Sequence, residues 1–131
     1  MNKRKLLKIL KGSGLEYEIV CDARQYGETL FGRREKECFL FLAKEGNCLS
    51  AEKLAADAGL SDVKAEDLPK RWLRLAERDR LCVCIDRSLQ DQKTALRLSD
   101  SEFLVMRTAD LRDILKQCGI PTVYFLPHQI I

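Results

Sequence analysis

The chain has 131 residues, 46% of them hydrophobic and 33% charged. That suits one domain, or one domain with appendages, able to bury a core. No apolar run approaches the ~20 residues of a membrane span, and the basic start from Met1 to Lys8 lacks the apolar stretch of a signal peptide. A cytoplasmic protein without a membrane partner is therefore expected. The 23 basic and 20 acidic residues leave a net charge of +3, which permits nucleic-acid binding without demanding it.

In chain order, Lys3 to Lys11 carries an apolar stripe (Leu6, Leu7, Ile9, Leu10) and a basic face, which predicts a short helix ended by Gly12-Ser13-Gly14. Leu15 to Cys21 reads as a strand, and Asp22 to Gly32 as a loop or short extended piece. Arg33 to Lys44 is predicted as a helix, with Cys38, Phe39, Leu42 and Ala43 on its apolar face and Gly46-Asn47 as its stop. Ser50 is a good N-cap for a helix over 51–58, and Gly59 supplies the left-handed residue that ends it. A second helix is expected from near Asp67 to about Asp79, because Pro69 is tolerated in a first turn.

Leu68, Trp72, Leu75 and Ala76 share one face of that helix, and Lys70, Arg71, Arg74 and Arg78 fall largely on the other. Leu81 to Ile85 and Thr94 to Leu98 read as strands around a polar loop at 88–92. Glu102 to Arg107 suits either strand or helix. Thr108 is expected to cap a short helix ending before Gly119. Thr122 to Leu126 reads as a strand closed by Pro127. The pattern Leu6-x-x-Ile9-Leu10-Lys11-x-x-Gly14-Leu15 recurs as Leu111-x-x-Ile114-Leu115-Lys116-x-x-Gly119-Ile120, which suggests two helix–glycine–strand pieces sharing one sheet.

Phe31 to Leu42, followed by Gly46 to Leu54, resembles the first two helices of bacterial response-regulator DNA-binding domains. An apolar residue four positions before a Glu opens helix one, then come an apolar pair, a further Leu, a Gly and Ser-x-Glu-x-Leu. Gly32 stands where that family has Thr, and Lys93 to Leu98 lacks its Gly-Tyr ending, so the broader winged-helix superfamily is the match adopted. The resemblance implies an α+β fold with a winged helix-turn-helix core over 31–100 and helix–strand extensions at 1–30 and 101–131. It further implies a DNA-binding transcriptional regulator, with helix 67–78 in the groove and a wing at 86–93.

In that reading Arg71 and Arg74 face base edges, because Arg pairs bidentately with guanine. Lys70, Arg78, Arg87 and Lys93 hold phosphates of duplex DNA. Lys3, Arg4, Lys5, Lys8 and Lys11 form an accessory phosphate-binding arm or a solubilising face. Glu66, Asp67, Glu77 and Asp79 lie in the same window, with Asp67–Arg71 and Arg74–Glu77 at salt-bridge spacing. The alternative is a winged-helix protein-interaction module within a larger assembly, and a third reading is a nuclease or toxin-like enzyme.

No catalytic set and no cofactor are expected: His128 is the lone histidine, and neither a phosphate loop nor a nucleophile elbow occurs. The six cysteines, at 21, 38, 48, 82, 84 and 118, contain no Cys-x-x-Cys pair. They read as reduced, packed thiols rather than a zinc site built from Cys48, Cys82, Cys84 and Cys118. The apolar end, Val123 to Ile131, reads either as a surface for a homodimer or as a piece buried within the monomer.

Overall fold

A computed structural model describes residues 1–44 and 50–127. The order is α1 (Lys3–Ser13), β1 (Glu18–Val20), β2 (Glu28–Arg34), β3 (Glu37–Ala43), α2 (Ala51–Asp57), β4 (Lys64–Glu66), α3 (Leu75–Arg78), β5 (Arg80–Asp86), β6 (Lys93–Ser99), β7 (Glu102–Arg107), α4 (Thr108–Gln117) and β8 (Thr122–Phe125). The larger sheet runs β4-β2-β3-β5-β8 and the smaller β1-β7-β6. In the larger sheet β2 is antiparallel to β3 and β4, while β5 is parallel to both β3 and β8. The smaller sheet is antiparallel. Among the described residues no helix is long and apolar enough to cross a membrane.

The centre of this arrangement is β3, whose residues Cys38 to Ala43 are all buried. Alternate side chains of a strand point to opposite faces, so the strand feeds two cores at once. Cys38, Leu40 and Leu42 join Leu81, Val83 and Ile85 of β5 on one face, where they meet Leu96, Leu98, Leu104 and Met106 of the smaller sheet. Helix α1 adds Leu6 and Leu10 to this layer, and α4 adds Leu111, Ile114 and Leu115. Phe39, Phe41 and Ala43 face the other way, against Ala51, Leu54 and Ala55 of α2, Cys84 and Phe125. A smaller cluster of Ala23, Ala95 and Val105 covers the outer face of the β6–β7 pair.

This strand-rich, mixed α/β fold corrects the expected α+β winged helix. The segment 33–44, expected as helix one, is the end of β2, a turn at Glu35-Lys36 and β3, with Arg34 opposite Glu37. Its apolar run is a strand buried on both faces, and the charged block from Arg33 to Glu37 is the tip of a hairpin. The expected helix 67–78 is instead an irregular piece ending in a turn at 70–71, a 3-10 turn at Trp72–Arg74 and the single turn of α3. The expected wing at 86–93 is a 3-10 turn at Arg87–Leu89 and a loop. It joins strands of different sheets, so no hairpin exists there. The two helix–glycine pieces do recur, with Gly14 and Gly119 at φ 73° and 76°. Their strands, however, lie in different sheets.

Other local signals act as their chemistry requires. The Ser50 side chain accepts from the Lys53 N–H at 3.1 Å and opens α2. Gly59 follows that helix at φ 78°. Thr108 starts α4, but its hydroxyl points to the Leu89 and Gln92 carbonyls, at 2.7 and 2.8 Å. It thereby ties the helix to the loop before β6. Arg33 on β2 bonds Glu66 at 3.1 Å and Asp79 at 3.0 Å, holding the edge strand β4 and the entry to β5 together.

Gly32 sits where β2 passes beneath β4 and α2. A Cβ placed there would lie 2.6 Å from Val63 Cγ1 and 3.3 Å from the Lys64 carbonyl oxygen. Gly32→Ala is therefore expected to cost about 1–3 kcal/mol by overpacking. Gly12→Ala, on an α1 position with open space around it, is expected to add about 0.5–1 kcal/mol of helix propensity. Paired urea denaturation curves of the two variants check both signs. Thr94 is 1% exposed, and among the described residues its hydroxyl has no hydrogen-bond partner. Thr94→Val should raise stability by about 1 kcal/mol or more, because an unpaired buried hydroxyl carries a desolvation cost. An unchanged or lowered denaturation midpoint would contradict that account.

Candidate nucleic-acid interface

The segment after β4 carries a basic run, Lys70, Arg71, Arg74 and Arg78, and the core decides how it is displayed. Trp72 and Leu73 are 1% and 5% exposed. The Trp72 indole N–H donates to the Arg97 carbonyl oxygen at 2.7 Å, fastening the segment to β6. With those two side chains turned inward, Lys70, Arg71 and Arg74 are left exposed. They line a cleft of about 350 Å³ with Asn2, Lys3 and Arg4 from the start of α1, and with Leu98 and Ser99 from the end of β6.

A second cavity, of about 530 Å³, adjoins it and shares Asn2, Arg71 and Arg74. Lys5, Leu75, Glu77 and Arg78 contribute to its walls. Together the two make a trough with α1 on one side and residues 70–78 on the other.

The charges in the trough are mostly uncompensated. None of Arg4, Lys5, Lys70, Arg71, Arg74 and Arg78 forms an ion pair among the described residues. The Asp67–Arg71 and Arg74–Glu77 pairs expected at helical spacing do not form: residues 67–71 are not helical, and Glu77 pairs with the Met1 α-ammonium instead. Lys3 pairs with Glu102. Glu77 pairs with the Met1 α-ammonium, whose hydrogen bond holds this carboxyl below its usual range; Lys5 and Arg74 add smaller pulls in the same direction. Lys3, Arg4 and Lys5 also crowd the positive end of the α1 dipole, and no acidic residue stands in its first turn. That arrangement is unfavourable until an anion is near.

Of the sequence-derived site residues, Lys70, Arg71, Arg74 and Arg78 meet at this trough, and Arg87 and Lys93 do not. Arg87 is exposed beyond the far end of β5, roughly 20 Å from its start by strand rise. Lys93 opens β6, whose other end supplies Leu98 and Ser99 to the cleft. It lines a different cavity with Glu16, Tyr17, Glu18 and Arg107. Of the N-terminal arm, read from sequence as an accessory phosphate-binding arm or a solubilising face, Lys3, Arg4 and Lys5 line the trough and Lys8 and Lys11 do not. Leu98 and Ser99 had no sequence signal: a strand terminus is recognisable as part of a site only once its neighbours are placed.

Among the described residues no group of three His, Cys, Asp or Glu side chains stands close enough to hold a metal. Cys82 and Cys84 share a face of β5 and pack toward the α2 core. Burial pushes the Cys38 thiol up, with Arg33 opposing, so it sits neutral in the core. Cys48 and His128 lie outside the described residues, as do the last residues of the candidate dimer surface, 128–131. Within that surface, Val123 and Leu126 are 45% and 58% exposed.

No family model matches the chain, and no curated protein matches it. The fold is similar to a solved scaffold protein from computational design work on grafting epitope backbones for presentation of linear epitopes. That likeness has a TM-score of 0.56 and 16% identity, and it covers 96% of this chain and 97% of that one. It bears on fold alone.

The Trp72 anchor generates a specific expectation. Trp72→Phe removes the part-buried bond to the Arg97 carbonyl, a cost of about 0.5–1.5 kcal/mol. Thermal melts should show the loss. Loss of no stability would mean that the indole bond does not hold the basic segment.

Proposed function

We propose that this protein binds nucleic acid through the phosphate backbone, in the trough between α1 and residues 70–78. The observation that carries the reading is the convergence of Arg4, Lys5, Lys70, Arg71, Arg74 and Arg78 on two adjoining cavities, with no ion pair among the described residues to neutralise them. Cations held this way release counterions when they meet phosphates, which gives affinity without sequence readout. The reading keeps the nucleic-acid partner expected from sequence and replaces its device. No helix of the segment is long enough to lie in a major groove and present Arg71 and Arg74 to base edges.

Fluorescence anisotropy of a labelled mixed-sequence oligonucleotide across a salt series tests it. The logarithm of affinity should fall linearly with the logarithm of salt, with a slope of about −0.7 to −0.9 per phosphate contact. Arg71→Ala/Arg74→Ala should flatten that slope by about one to two units while leaving the melting temperature near that of the parent chain. Absence of binding at low salt, with protein at tens of micromolar, would overturn the proposal.

A further inference from the structure

We infer that the trough accepts a single strand rather than a duplex; the inference rests on the backbone-binding reading above and adds the form of the ligand. Three features point this way. First, the cations sit on two facing walls, Lys3, Arg4 and Lys5 on one and Lys70, Arg71 and Arg74 on the other. A strand lying between them meets charge from both sides. A duplex, with its phosphates spread on a wide convex cylinder, meets only the rim.

Second, proteins that read duplexes push a convex element into a groove, and the major groove is ~12 Å wide and ~8.5 Å deep. Here α3 is four residues long, about 6 Å at the α-helical rise, and the polypeptide around it is concave. Third, Arg71 and Arg74 line the same cleft as Leu98, and Arg78 lines the adjoining cavity, so guanidinium groups are available along the trough. Unstacked bases of a single strand lie flat on guanidinium planes, whereas paired bases present only their edges. Phosphates then take the ammonium and guanidinium heads.

The test measures the full chain against labelled mixed-sequence oligonucleotides of about 12 nucleotides, within the ~4–16-nucleotide span of single-strand sites. The probes are single-stranded RNA, single-stranded DNA and the DNA duplex, all at one salt concentration. The expected result is at least about tenfold tighter binding of a single strand than of the duplex at equal salt. The better of the two single strands identifies the sugar preferred.

Substitutions on either wall, Arg4→Ala/Lys5→Ala or Arg71→Ala/Arg74→Ala, should each weaken single-strand binding, with circular dichroism confirming an intact fold. All four side chains avoid ion pairs among the described residues, which keeps the variants foldable. Duplex binding equal to or tighter than single-strand binding overturns this inference and leaves backbone binding standing. So does dependence on one wall alone. Failure of all three probes to bind at low salt overturns both.

Discussion

The rest of the structure depends on a strand that must bury both of its faces. Six consecutive residues of β3, Cys38 to Ala43, are hidden from solvent. A strand so apolar is stable only between two layers, since burial of each large aliphatic or aromatic side chain is worth about 1.5–3 kcal/mol. Parallel pairing with β5 and antiparallel pairing with β2 satisfy its backbone. Its even-numbered side chains then require the smaller sheet with α1 and α4, and its odd-numbered ones require α2. Both layers are consequences of one alternation.

The basic trough follows from that core. Leu6 and Leu10 pin α1 to the inner layer, which sets the start of the helix beside the trough. Trp72 and Leu73 pin the segment before α3 to the same layer, and the indole bond to the Arg97 carbonyl fixes its position along β6. The cations are thus held apart from one another by burial of their apolar neighbours, not by acidic partners. Mutual repulsion among them is a cost that the folded chain carries and a bound polyanion relieves.

The resemblance to a winged helix arose from real local features. Ser50, Glu52, Leu54 and Gly59 do delimit a helix. A basic segment does follow it, and strands do follow that. What misled was the reading of Arg33 to Lys44. Its charged start and apolar end suit an amphipathic helix by composition, and an apolar run of that length suits a buried strand equally well. The pairing of Phe31 with Leu40, and of Leu40 with Val83, decides between them, and neither partner is visible within the segment itself.

By itself the sequence determined α1 and α2, through an apolar stripe in one and a serine cap with a closing glycine in the other. It also determined the strand character of 81–85 and 94–98, and which side chains carry the positive charge. Local chemistry suffices for these, because caps, glycine backbone freedom and alternation act within a few residues. Only the tertiary structure decided that 37–43 is a strand, that 67–78 is not a continuous helix, and that β5 and β6 belong to different sheets. It alone brought Lys3, Arg4 and Lys5 across from Lys70, Arg71 and Arg74. Those outcomes depend on contacts between residues far apart in the chain, whose burial and hydrogen bonding outweigh the helix propensity of any one segment.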